Sequence, residues 1–158
     1  MEEKSKTRMN SIDDKLKTTI AQYLASGIEQ QVDYEKFYLY SIITHSTAIE
    51  GSTVTEVENQ LLFDEGIPSK RCTLDEQLMN LDLKDAYIYG FSWCKTPQPY
   101  TVNLLRKLAS MVMRRTGTTY SVLGGEFDSS HGDLRLCNVS AGIGGSSYLS
   151  YTKVPRAT

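Results

Sequence analysis

Apolar residues recur at helical spacing through the first two thirds of the chain, and capping residues punctuate them. Ile12, Leu16, Ile20, Tyr23 and Leu24 fall on one face of a first predicted helix, with Ser11 as its cap, Asp14 three residues on, and Gly27 as its stop. Asp33 opens a second, "DYEKFYLYSIITHSTAIE", whose stripe is Phe37, Tyr40 and Ile43 with Thr44 and Thr47, and Gly51 ends it. Thr55 and Glu58 have the spacing of a capping box behind Val54, and predict a third helix with Val57, Leu61 and Leu62 inward and Gly66 as its stop. Thr73 and Glu76 repeat that spacing and open a fourth helix carrying Leu74, Leu78, Leu81, Ala86 and Ile88. Thr101 caps a fifth, with Leu104, Leu105, Leu108 and Val112 on one face and Gly117 at its end.

Beyond Gly117 the pattern changes. Glycine, valine, tyrosine and serine become frequent, and "YSVLGGEF", "LRLCNVSAG" and "SSYLSYTKV" read as short extended pieces joined by Gly-rich turns. The fold expected is mainly α, a bundle of about five helices followed by a small β-hairpin region, with a core that looks incomplete. The organisation predicted is a disordered leader at 1–10, N-terminal helices at 11–66, a second helical part at 67–117 and a hairpin region at 118–158.

Charge and cysteine usage narrow the function classes. With 17 Lys and Arg against 19 Asp and Glu, the chain has a net charge of −2 and no basic excess to hold nucleic acid. Cys72, Cys94 and Cys137 are widely spaced, form no CxxC pair and make no metal spacing with His45 and His131, so reduced, buried thiols and no metal site are expected. No apolar run reaches the roughly 18 residues of a membrane span. The polar N-terminus lacks a signal-peptide core, and a cytoplasmic location is expected.

Enzymatic constellations are sparse. His45 lies on the polar side of a tyrosine-rich helix and His131 in the turn "DSSHGD", both read as ordinary histidines. "GIGGSS" at Gly142–Ser147 lacks the Lys-Ser/Thr of a P-loop and reads as a hairpin turn. Arg114 and Arg115 read as cations of a last helical turn, where they suit the helix dipole.

Glu50 is the residue out of place. It stands at the C-terminal end of a predicted helix, where a carboxylate meets the negative pole and costs about 0.3–1 kcal/mol. An approaching arginine would offset that cost through a specific charge-assisted pair. Ser46 lies one turn earlier on the same helix face.

Around Glu50 the chain resembles a known family. "STAIEG", Ser46 to Gly51, matches the inhibitory motif [S/T]xxxE[G/N] of Fic proteins, and "STVTEVENQLLFDEGI" is similar to the run that follows it where the inhibitory helix precedes the catalytic core. "GDLRLCNVSAG" resembles the segment leading into the Fic flap, and "YTKVP" the stretch that closes it, so the resemblance runs from about Asp33 to Pro155. It implies a Fic-like helical bundle with a flap hairpin and, for the intact family protein, transfer of AMP from ATP, with Mg²⁺, to a Ser, Thr or Tyr hydroxyl of a target protein. Carried over, Ser46, Glu50 and Gly51 are the inhibitory residues. Glu50 would pair with the second arginine of the family's HPFxDGNGRxxR motif, which otherwise binds the ATP γ-phosphate. Val139, Ser140, Ala141 and Gly142 would be the flap beside nucleotide and target backbone, an edge suited to β-augmentation.

The departure is equally definite. HPFxDGNGRxxR is nowhere in the chain, and "HGDLR" at His131–Arg135 has neither its spacing nor its Gly-Asn-Gly anion nest. No catalytic residue, metal ligand or unaided ATP site is therefore assigned, and the core is expected downstream of Pro155. Two other readings stay open: an antitoxin-like binding protein that inhibits a separate Fic partner, and a plain helical interaction domain. An exposed apolar face where core helices would pack is expected to favour self-association.

Overall fold

In the computed structural model, residues 2–142 and 144–154 are described, with backbone alone at 2–11 and 29. The chain divides into two units, Met1–Tyr38 and Leu39–Thr158. The described residues are mainly helical with one two-stranded antiparallel hairpin. Pro155 and Ile143, the end of the closing "YTKVP" stretch and the middle of "GIGGSS", lie outside the described residues.

In the first unit, helix α1 covers Glu2–Ala25. It begins nine residues before the expected Ser11 cap and takes in most of the stretch read as a disordered leader. Glu, Lys, Arg and Met fill that stretch and are good helix formers, so nothing in it breaks the helix. The expected stripe is present but uncovered: Ile12, Leu16, Ile20, Tyr23 and Leu24 are all exposed. The Tyr23 and Tyr34 hydroxyls are hydrogen-bonded to each other.

Helix α2, Tyr34–Ile49, opens as predicted with the Asp33 carboxylate accepting from Lys36 N–H at 3.0 Å. Helix α3, Glu56–Glu65, and helix α4, Leu74–Cys94, both start on complete capping boxes, Thr55/Glu58 and Thr73/Glu76. Gly66 closes α3 in the left-handed conformation at φ 69°. Helix α5, Val102–Val112, starts on the Thr101 cap.

The interior differs from the predicted stripes. Of the residues expected to face inward, Val57, Leu61, Leu74, Ile88 and Leu105 are exposed. Ile43, Val54, Cys72, Ala86 and Leu104 form the buried apolar set. Beside them the interior holds Thr44, Thr47, Ser52, Asn59, Gln77, Asn80 and Asp82. Thr44, Thr47, Ser52, Asn59 and Asn80 bond to one another, Gln77 donates to backbone carbonyls and Asp82 pairs with Arg115, which is how burial of a polar group is tolerated; Asn59 Oδ1 is the exception and has no partner among the described residues. Asn59 Nδ2 donates to Thr44 Oγ1 and to Asn80 Oδ1, each at 2.8 Å, tying α2, α3 and α4 together. The cysteines also depart from expectation: Cys72 is buried, but Cys94 is exposed and Cys137 half-buried.

After α5 the chain forms strands β1, Thr119–Val122, and β2, Gly125–Asp128, paired from Thr119↔Asp128 to Val122↔Gly125. The hairpin thus folds "YSVLGGEF" back on itself, where a single extended piece was expected. A short helical turn, Ser129–His131, then docks on α5 through Gly132. Arg106 donates from Nε to Gly132 O at 3.0 Å and from Nη2 to Asp133 at 3.0 Å. Gly132 has φ 69°, and a Cβ there would overlap the Arg106 carbonyl, so this close approach requires glycine.

A candidate regulatory cleft at the end of the second helix

The end of α2 is a Schellman turn. Ser52 N–H donates to Thr47 O at 3.0 Å and Gly51 N–H to Ala48 O at 3.1 Å, with Gly51 at φ 97°. Glu50 is the cap residue of this turn. Its side chain has no hydrogen-bond or ion-pair partner among the described residues, and it is exposed. Ser46, one turn earlier, is half-buried, and no hydrogen bond joins it to Glu50 among the described residues.

The chain leaving the turn is held on both sides. Thr53 donates from N–H and Oγ1 to Glu76 Oε1 at 2.7 and 2.8 Å. Thr53 O accepts from Arg71 Nη2 at 2.7 Å. Arg71 in turn pairs with Glu58 at 2.7 Å, and Ser69 Oγ donates to the same carboxylate at 2.6 Å. The Arg71 guanidinium, with the Ser69 and Thr55 donors, holds Glu58 far below the ordinary carboxylate range. The Thr73 hydroxyl and N–H, with Thr53, bring Glu76 down to about 2. Both capping glutamates are therefore ionised at neutral pH.

Glu50, Gly51, Ser52, Asp75, Glu76, Met79, Arg115 and Thr116 line one cleft of about 330 Å³. Among the described residues its one cation, Arg115, is already engaged. Asp82, wholly buried on α4, accepts from Arg115 N–H at 2.6 Å and from its guanidinium, and Asp85 stands 3.8 Å from that guanidinium. Arg114 pairs with Asp85 at 3.0 Å. This corrects the reading of both arginines as dipole cations: α5 ends at Val112, and they follow it as partners of α4. With Arg115 neutralised, Glu50, Asp75 and Glu76 leave the cleft acidic. Such a set of acceptors suits an incoming guanidinium and opposes a triphosphate.

The structure brings together Glu50, Gly51 and, unforeseen from sequence, Arg115. It leaves Ser46 and Val139–Gly142 outside the cleft lining. The segment at Val139–Gly142 is exposed and folds into a narrow turn, with Ala141 N–H donating to Ser146 O and Tyr148 N–H to Val139 O, each at 3.1 Å. An isolated bridge joins Ser140 and Ser147. Asn138 Oδ1 accepts from Tyr151 N–H at 3.1 Å, and the Arg135 guanidinium spans Cys137 O and Leu149 O.

A second cleft, about 420 Å³, lies between α4 and α5 and is lined by apolar residues that include Tyr87, Phe91, Tyr100, Leu105 and Leu108. Among the described residues no group of His, Cys, Asp and Glu has the arrangement of a metal site. No described helix is long and apolar enough to cross a membrane. Comparison with protein-family models, with curated proteins and with solved structures finds no match to this chain.

Proposed function

We propose that the chain is the regulatory and flap-bearing part of an autoinhibited Fic-type protein AMP-transferase. The observation that carries the reading is the Glu50 carboxylate. It is carried by a Schellman turn at the negative end of α2, and among the described residues it has no partner of its own and faces a cleft whose only arginine is occupied. A carboxylate so placed awaits a cation from outside this set. The motif "STAIEG" names which one: the second arginine of a Fic core, on the same polypeptide or another.

In this reading the chain's own residues regulate and position. Glu50 draws the core arginine away from the γ-phosphate of ATP, which leaves the nucleotide in a non-productive pose. Val139–Gly142 present backbone to a target strand near the hydroxyl that receives AMP. ATP and Mg²⁺ are held by the core motif, because the acidic cleft at Glu50 suits neither a triphosphate nor, with so few convergent oxygens, a dedicated metal site. The base that takes the proton of the target hydroxyl is the histidine of that motif.

The test joins this chain to a core carrying HPFxDGNGRxxR and follows AMP transfer to protein. Glu50→Gly removes a charge-assisted pair, and transfer should rise about tenfold or more. Unchanged transfer in the variant would remove the inhibitory role of Glu50. Adding the chain in trans to a separate core distinguishes a regulator built into one polypeptide from an antitoxin-like partner.

A further inference from the structure

We propose that Asn80 is the positioning residue for Glu50, a carboxamide clamp in the second turn of α4 that grips the Glu50 turn from both ends. Asn80 is wholly buried. Its Oδ1 accepts from Thr47 Oγ1 at 2.9 Å and from Asn59 Nδ2 at 2.8 Å. Its Nδ2 donates to Ser52 Oγ at 3.2 Å and to Glu76 O at 2.8 Å. Both donor hydrogens and both acceptor positions of the amide are thereby filled. Turning the amide over would set its oxygen against the Glu76 carbonyl oxygen, which can only accept, so one orientation is selected.

Thr47 and Ser52 are the two residues joined by the long bond of the Schellman turn. Asn80 therefore holds the residue three before Glu50 and the residue two after it, with Glu50 between. The Glu50 side chain has no partner of its own among the described residues, so its placement depends on the backbone that carries it, which the Schellman turn, the Thr53 bonds and Asn80 hold together. The backbone position from which Glu50 projects is thus held from α4, through Asn80, and not from α2 alone. Asn80 is thus the place at which a shift of α4 would turn Glu50 away and release inhibition. This step rests on the inhibitory reading of Glu50.

The experiment uses Asn80→Ala and Ser52→Ala. The second cuts the arm beyond Glu50, together with the acceptor of Val54 N–H at 3.3 Å, and leaves the links to Thr47 and Asn59 intact. Amide hydrogen exchange, read by NMR on this chain, should accelerate about tenfold or more at Gly51 and Ser52 relative to the mid-α4 amides, since each variant loses at least one buried hydrogen bond at the turn. In the chain joined to a Fic core, Asn80→Ala should raise AMP transfer when Glu50 is present and add nothing on top of Glu50→Gly. An equal change in both backgrounds would show that Asn80 acts on the fold and not through Glu50, and would overturn the proposal. So would exchange at Gly51 and Ser52 that is unchanged, or that rises uniformly along α4. If Glu50→Gly itself leaves transfer unchanged, the inhibitory reading fails and the regulatory role of Asn80 fails with it. A local rise in exchange would then still establish the clamp.

Discussion

Asp82 and Arg115 are joined twice: the buried carboxylate on α4 takes both the backbone N–H, at 2.6 Å, and the guanidinium of the residue three past the end of α5. One side chain thus fixes where the chain goes after α5 and keeps Arg115 from Glu50. Removing Asp82 leaves the Arg115 N–H without its acceptor and the guanidinium with Asp85 alone, at 3.8 Å. Asp82→Ala should lower stability by about 2–4 kcal/mol, less than a fully buried pair because Arg115 is partly exposed. Urea denaturation followed by circular dichroism reads this as a lower midpoint. A midpoint equal to wild type would mean that the pair contributes nothing net.

The two capping glutamates set the acid limit of the helical unit. Glu58 and Glu76 have folded-state pKa values below those of the unfolded chain, Glu76 at about 2 and Glu58 lower. A depressed carboxylate contributes stability that is present above the unfolded value and lost as pH falls through the folded one. Stability should hold at neutral pH and decline from about pH 4.5 toward pH 2. Glu76→Gln keeps the geometry of a capping box but does not titrate, so its urea midpoint should vary less across that window. A parallel decline in wild type and variant would exclude Glu76 as a source of the acid sensitivity.

Two glycines with positive φ should respond unequally to a methyl group. At Gly51 a Cβ would meet open space, so Gly51→Ala suffers only from backbone strain at φ 97°, about 1 kcal/mol. At Gly132 the Cβ would overlap the Arg106 carbonyl as well, and Gly132→Ala should cost about 2–4 kcal/mol and loosen the Ser129–His131 turn from α5. Thermal melts of the two variants check the order. Equal losses would contradict the close approach at Gly132.

Local punctuation was legible in the sequence, and the interior was not. Thr55/Glu58, Thr73/Glu76, Thr101 and the stop at Gly66 act through bonds between near neighbours, and spacing alone reports them. The inward faces of α3 and α4 were misread because they are centred on Asn59, Asn80 and Asp82, residues that a hydrophobic pattern assigns to solvent. Val57 and Leu74, which fit the pattern, are exposed. Glu50 stood out from its wrong-end charge. Arg115 did not, since a basic residue after a helix already has a bland explanation, and only tertiary structure shows Asp82 behind it. The hairpin was displaced for a similar reason: "LGG" lets the chain reverse within a run that looks like one strand.

The hydrogen-bonded interior of the Leu39–Thr158 unit also bears on how the protein meets changes of temperature. Cohesion that comes from water-avoiding surface weakens on cooling and carries a large heat-capacity increment. Here the buried set gives Thr47, Asn59, Asn80 and Asp82 places that leucine or phenylalanine occupies in an oilier bundle. Such an interior should unfold with a smaller heat-capacity increment, and therefore a flatter stability curve, than a bundle of the same size packed with leucine and phenylalanine.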